Sequence, residues 1–130
     1  MVSKKIIKAI SLPIAVLIAH AILFINKTYD SHPWVDIPMH FARGLAAAFM
    51  VYCLLKIAED KKILKTNNPL KFLFVISMVS LIAVGWEFME FISDLLISSN
   101  FQKGIADTMG DLFIGLLGAL VGYLLGKRFE

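Results

Sequence analysis

Four long apolar stretches constrain this chain more than any other feature of its sequence. They run over about residues 6–25, 37–57, 70–97 and 105–125. Each is long enough to cross the hydrocarbon core of a bilayer as a helix, which takes about 20 residues. Of the 130 residues, 58% are hydrophobic, and the mean hydropathy is +0.77. A water-soluble domain of this size cannot bury so much apolar surface. The sequence therefore predicts an all-α integral membrane four-helix bundle that forms one domain over residues 1–130.

Short polar segments separate the four stretches. The first contains Asp30 and Pro33, the second runs over residues 67–69, and the third contains residues 98–100. Turn-forming residues of these kinds end helices. Pro13 lies inside the first stretch, which a membrane helix tolerates.

The first stretch also has features of a cleaved signal peptide. Lys4, Lys5 and Lys8 flank its start, and the segment Ala19-His20-Ala21 is similar to a cleavage site. The apolar run continues beyond them to Ile25, which favours an uncleaved first membrane helix. Cleavage of this helix is the alternative.

Basic residues are unevenly distributed between the two ends of the predicted bundle. Most lie before the first stretch, between the second and third stretches, or after the fourth, whereas the other two connections contain only Lys27 and Lys103. Loops rich in lysine and arginine stay on the cytoplasmic side. We therefore expect a multi-pass protein of the cell membrane with both termini in the cytoplasm.

Ionisable residues occur inside the apolar stretches, towards the end that is predicted to face outward. Their spacings are i, i+4, i+7 in the second stretch, i, i+3, i+7 in the third and i, i+4 in the fourth, so each set lies on one helix face. Charged groups in a bilayer are costly, so they must face the bundle interior or be neutralised. The residues are Asp36, His40 and Arg43, then Glu87, Glu90 and Asp94, then Asp107 and Asp111, with His20 at similar depth in the first stretch.

These acidic groups need neutralisation. Six carboxylates face Arg43, the one certain cation in the set. A divalent ion would offset the excess negative charge. Mixed imidazole and carboxylate ligands suit zinc, manganese or iron, and an all-oxygen set suits magnesium or calcium. We predict a divalent metal site, of an ion the sequence does not name, formed by Asp36, His40, Glu87, Glu90, Asp107 and Asp111, with Arg43, Asp94 and His20 in the surrounding polar network.

Three functions are compatible with such a cluster. The first hypothesis is divalent-cation binding that serves chemistry on a lipid or a lipid-linked envelope substrate. The second is a small proton- or cation-coupled transporter or channel subunit, in which burial keeps a carboxylate protonated. The third is a membrane scaffold whose ion pairs around Arg43 only fix helix packing. The sequence does not decide whether the protein is an enzyme, and it contains no motif for binding nucleic acid.

Glycines continue the acidic face of the fourth stretch. Gly115, Gly118 and Gly122 lie within about 100° of Asp107 and Asp111 on a helical projection. Glycines at such spacings let a second helix approach closely. We expect close packing inside the bundle, and a homodimer through these three glycines is the alternative. The lone Cys53 excludes an internal disulfide and a cysteine-based metal site.

Three segments resemble a known group of small multi-pass proteins. They read VDIPMHFARGLAAAF, GWEFMEFISDLL and GIADTMGDLFIGLLGALVG. Together they resemble the YjdF-like membrane proteins and are more distantly similar to VanZ-like proteins, over about residues 35–125. The resemblance implies a fold of four or more membrane helices in the cell envelope, and it implies no established reaction. Glu90 departs from the VanZ-like pattern, which usually has Gln or an apolar residue there. The polar positions that match are Asp36, His40, Glu87, Glu90, Asp107 and Asp111.

Overall fold

Helices form every regular element of the computed structural model, which describes residues 2–97 and 100–128, with side chains from residue 4 onward. Four of the helices are long and apolar enough to cross a membrane. A one-turn helix and a 3-10 turn lie in the first connection. In chain order the elements are α1 (Val2–Ile25), α2 (Thr28–Ser31), the 3-10 turn (Pro33–Val35), α3 (Asp36–Asp60), α4 (Asn68–Ile97) and α5 (Ile105–Arg128).

The four long helices lie where the apolar stretches predict them, and local polar groups fix their ends. Oδ1 of Asn67 accepts a hydrogen bond of 2.9 Å from the backbone N–H of Leu70, which satisfies a free donor in the first turn of α4. Lys62 has a positive φ of 58° just after α3, and Gly104 has a φ of 127° just before α5. Of the polar segment predicted to separate α4 from α5, Ser98 and Ser99 lie outside the described residues.

Ion pairs and hydrogen bonds show that the helices alternate in direction. Lys5 Nζ at the start of α1 lies 2.7 Å from Asp60 Oδ2 at the end of α3. Lys71 Nζ at the start of α4 lies 3.0 Å from Glu59 Oε2, and the Tyr123 hydroxyl near the end of α5 donates to the first turn of α4 at 3.4 Å. We call the end of the bundle that contains these contacts the basic end. The first and last described residues both lie at it, and the side of the membrane that it faces remains a prediction.

The closest packing in the bundle is between α3 and α5. A Cβ on Gly44 would lie 1.9 Å from the carbonyl oxygen of Gly115, and one on Gly118 would lie 2.1 Å from that of Phe41. A Cβ on Gly122 would lie 2.2 Å from another backbone oxygen of α3. The two backbones are therefore in direct contact, which confirms the prediction of close glycine packing inside the bundle.

The same contacts bear on the alternative of a glycine-mediated homodimer. Gly115, Gly118 and Gly122 are buried against α3 of their own chain. A dimer through this face would first have to separate α3 from α5.

The other two helices are more peripheral. Helix α1 packs mainly along α3, while α4 packs on both α3 and α5. Large apolar side chains such as Ile18 on α1 and Leu81 on α4 are more than half exposed. On helices of this length and composition, such surfaces are consistent with contact to lipid.

Candidate metal centre

The polar cluster lies at the end of the bundle opposite the basic end. The start of α3 contributes His40, and the start of α5 contributes Asp111. These residues face each other because Gly44 and Gly115, four residues further along each helix, bring the two backbones into contact. One turn of helix thus separates the glycine contact from the candidate ligands.

His40 occupies the middle of the cluster. Its side chain is 8% exposed, and Nε2 lies 3.4 Å from Asp36 Oδ1 and 3.5 Å from Asp111 Oδ2. Both separations are long for a hydrogen bond, and the atom has no closer hydrogen-bond partner within the described part of the chain. A buried ring nitrogen thus faces two carboxylate oxygens without the bond that normally offsets its burial.

Two sets of three side chains share His40. In the first ligand group, Asp36, His40 and Asp111 each offer one ligand atom, and these atoms lie within 4.8 Å of one another. In the second ligand group, His40, Glu87 and Glu90 meet the same limit. The structure therefore places carboxylates from three helices around one imidazole.

The carboxylates from α4 are held by other side chains. Nε1 of Trp86 donates a 2.6 Å hydrogen bond to Glu90 Oε1. Nε2 of Gln102 lies 3.3 Å from Glu87 Oε2 and 3.2 Å from the Glu87 carbonyl oxygen. Trp86 and Glu90 are spaced i, i+4, a signal that the sequence contained. Nothing in the sequence pointed to Gln102, because the connection before α5 has no periodic pattern.

Arg43 lies beside the first ligand group but does not form a close ion pair with it. Its Nη2 is 3.9 Å from Asp36 Oδ1, and its guanidinium carbon lies 4.1 Å from the centre of the Trp86 ring. Nε donates to the Met39 carbonyl oxygen at 3.4 Å. The two terminal nitrogens are buried and make no hydrogen bond to any described residue. The structure thus leaves several guanidinium donors unused next to the carboxylates.

His20 extends the polar network to α1 and the first connection. Its Nδ1 lies 2.7 Å from the Tyr29 hydroxyl, and its ring meets the Trp86 ring edge-on at 5.0 Å between centroids. Burial is the main cause that raises the pKa of the Tyr29 phenol to about 12. The hydroxyl is therefore protonated at neutral pH and available as a donor.

Two predicted site residues have other contacts. The Asp94 carboxylate accepts 2.9 Å hydrogen bonds from the backbone N–H groups of Phe101 and Gln102, so it organises the connection between α4 and α5. Asp107 Oδ2 lies 3.4 Å from the backbone nitrogen of Lys103, just before α5. Neither belongs to a ligand group. Of the six ligands predicted from the sequence, the structure brings together Asp36, His40, Glu87, Glu90 and Asp111.

Comparison with known proteins gives one match. A family model described as "Predicted membrane protein (DUF2238)" matches residues 5–130, which includes both ligand groups. No curated protein and no solved structure matches the chain. The family match agrees with the expected membrane-protein class, whereas the resemblance to YjdF-like and VanZ-like proteins remains a prediction.

Proposed function

We propose that this chain, which belongs to the DUF2238 family of predicted membrane proteins, binds a divalent metal ion between α3, α4 and α5. The observation that carries the proposal is Nε2 of His40, a buried ring nitrogen that has no close hydrogen-bond partner among the described residues while two carboxylates face it. We further propose that the protein spans the cell membrane with both termini in the cytoplasm, so that the centre lies in the outer half of the bilayer.

The separations in the first ligand group suit a small metal ion. Nitrogen and oxygen ligands of zinc lie about 2.0–2.2 Å from the ion, so two ligands on a tetrahedral ion are about 3.4 Å apart. Nε2 of His40 is 3.4 and 3.5 Å from the two aspartate oxygens. An ion between these atoms would use the His40 lone pair, and no side chain would have to travel far.

Charge supports the same proposal. Asp36, Glu87, Glu90 and Asp111 carry four carboxylates in a largely buried cluster, and Arg43 is the permanent cation beside them. A divalent ion would lower the excess negative charge by two. Imidazole with carboxylates is a ligand set for zinc, manganese or iron rather than for calcium.

The role of the ion depends on what else reaches it. Glu87 and Glu90 also offer ligand atoms next to His40 and can complete the coordination or accept a proton from bound water. Chemistry on a lipid or lipid-linked substrate is the use that we propose for such an ion in an outward-facing membrane site.

Metal content and metal-dependent stability test the proposal. We expect protein purified in a neutral detergent to retain a metal by elemental analysis, and its melting temperature to rise when the preferred divalent ion is added after chelation. His40→Gln should abolish both effects because it removes the central ligand. His32→Gln is the matched control, since His32 is exposed in the first connection and hydrogen-bonds the neighbouring Ser31.

A second pair of variants identifies the acidic ligands. Asp111→Asn should lower the metal content, whereas Asp107→Asn, one turn earlier on α5, should leave it unchanged. Equal losses in the two variants would extend the centre to Asp107, as the sequence predicts. The proposal would be overturned if the melting temperature of chelator-treated wild-type protein did not change on addition of zinc, manganese or iron.

Proton coupling is the second candidate function, and one observation favours it. Glu90, His20 and Tyr29 line the same polar cavity, and His20 hydrogen-bonds the Tyr29 hydroxyl, so several groups that can exchange protons lie beside the cluster. In that case Glu90→Gln, which mimics a protonated carboxyl, should match or exceed the stability of wild type at neutral pH. If the cluster binds metal, Glu90→Gln should instead reduce the rise in melting temperature that the added ion causes.

A further inference from the structure

Two cavities lie on either side of the proposed metal centre. The polar cavity has a volume of about 530 Å³ and is lined by residues such as His20, Tyr29, Asp36, Glu90 and Lys103. The apolar cavity has a volume of about 220 Å³ and is lined by residues such as Leu17, Arg43, Ala47, Ala83 and Trp86.

The two cavities follow one another along the same helices. On α3, Asp36 lines the polar cavity and Arg43, two turns further on, lines the apolar one. On α4, Glu90 lines the polar cavity and Trp86, one turn away, lines the apolar one. The apolar cavity therefore lies deeper in the bundle. His40 and Asp111 line it as well, so the first ligand group lies where the two cavities meet.

Arg43 shows which chemistry the junction of the cavities would recognise. Its side chain is 13% exposed, and its terminal nitrogens have no hydrogen-bond partner among the described residues. Guanidinium groups bind phosphate or carboxylate through two parallel hydrogen bonds. Lys27 and Lys103 line the polar cavity and partly offset the carboxylates of Asp30, Asp36 and Glu90, which line it too. An anionic group would find the free guanidinium donors at the junction, and the proposed metal ion would offset the remaining negative charge of the cluster.

The apolar cavity indicates that the ligand also carries a hydrocarbon chain. Residues of α1 and α4 line it, and these helices meet at His20 and Trp86 rather than along an extensive interface, because α1 packs mainly along α3. The cavity lies within the apolar lengths of the spans, so a chain from the bilayer can enter without crossing water. Its walls include Leu17, Ala47, Val79 and Ala83, which offer apolar contact along a narrow path.

We propose that the two cavities bind a phosphate-bearing membrane lipid, with its phosphate against Arg43 and the proposed metal centre and one apolar chain in the apolar cavity. The position of the phosphate rests on the proposed function, because the phosphate would contact the metal ion as well as Arg43. The guanidinium and the apolar cavity supply the remaining contacts. This assignment names the substrate class that the metal centre would act on.

Binding of single-chain lipids tests the proposal. The protein in a neutral detergent is titrated with lysophosphatidic acid, and its melting temperature and native mass spectrum are recorded. Monoacylglycerol of the same chain length lacks the phosphate, and glycerol 3-phosphate lacks the chain. We expect lysophosphatidic acid to raise the melting temperature and to remain bound in the mass spectrum, and each control compound to have a much smaller effect.

Two variants locate the bound lipid. Ala83→Phe places a ring in the apolar cavity, whereas Val84→Phe, at the next residue of α4, changes a side chain that is 39% exposed and does not line it. The lipid response should disappear in Ala83→Phe and persist in Val84→Phe. Arg43→Gln should weaken lipid binding by at least about tenfold, because it removes a charge-assisted pair of hydrogen bonds.

The outcomes separate this proposal from the proposed function. Wild-type protein that binds metal but shows no response to lysophosphatidic acid, or responds equally to monoacylglycerol, overturns the lipid proposal and leaves the metal centre intact. Metal-free protein that binds lysophosphatidic acid through Arg43 overturns the metal centre and retains the lipid site. If Arg43→Gln does not fold, equal lipid responses of Ala83→Phe and Val84→Phe are the refuting result.

Discussion

Adding a single methyl group to Gly118 should separate the two helices that hold the candidate metal centre together. A Cβ at this position would lie 2.1 Å from the carbonyl oxygen of Phe41, whereas ordinary contacts begin at 3.4 Å. The obstacle is backbone, so no side-chain rotation can relieve it. Helix α5 would have to move away from α3 by about 1.3 Å near this contact.

The energetic consequence follows from that displacement. A gap of about 0.5–1 Å already removes a quarter to a half of the dispersion attraction between facing atoms. Overpacking of buried sites usually costs about 1–3 kcal/mol. Because the neighbour here is backbone, we expect Gly118→Ala to lower the free energy of unfolding by about 3 kcal/mol, at the upper end of that range.

Gly110 provides a matched control on the same helix. A Cβ on Gly110 would meet no atom within 4 Å. Gly110→Ala should therefore be neutral or stabilise the protein by up to about 1 kcal/mol, because alanine is the better helix former. The measurement is equilibrium unfolding in mixed micelles, followed by circular dichroism. Equal stabilities of Gly118→Ala and Gly110→Ala would refute direct contact between the α3 and α5 backbones.

Two further predictions concern topology and pH. In a Cys53→Ser background, a cysteine that replaces Asn100 should react with a membrane-impermeant reagent from outside the cell. A tag at either terminus should be reached only from the cytoplasm. Termini on opposite sides of the membrane would contradict the proposed orientation. The pKa of Tyr29 is raised to about 12 from its ordinary 10. Between these values the folded protein retains the phenol proton while the unfolded chain loses it. The free energy of unfolding should therefore fall as pH rises from about 10 to 12. Tyr29→Phe should show a smaller fall over that range, and identical pH profiles of the two proteins would contradict the half-buried position of the phenol.

The four long helices could be predicted from the sequence because hydropathy over about 20 residues reports directly on the bilayer. The close packing of α5 could also be predicted, since glycines at these spacings are typical of a helix that contacts another backbone. Both inferences depend on periodicity along one helix. Neither requires knowledge of how far one helix is shifted along its neighbour.

The ligand groups depend on that shift, which the sequence does not contain. Asp107 and Asp111 share a face of α5, and periodicity gives no reason to prefer one of them. The contact between Gly44 and Gly115 fixes the axial position of α5, and it brings Asp111 rather than Asp107 to His40. Arg43 is a similar case. The sequence identified it as the counterion of the carboxylates, but its guanidinium lies over Trp86, 3.9 Å from the nearest Asp36 oxygen.

Close backbone packing gives the two ligand groups different degrees of preorganisation. Asp36 and His40 lie one turn apart on α3, and the glycine contact holds Asp111 against the same helix. Within the first ligand group, helix packing therefore fixes the backbone positions of all three residues. Glu87 and Glu90 come from the more peripheral α4, where side chains such as Trp86 and Gln102 hold them. An ion held by the first group would keep its place while α4 adjusts, and α4 also lines the cavity that a lipid chain would enter. The helix that meets the proposed substrate is thus the one whose ligands can move without dismantling the centre.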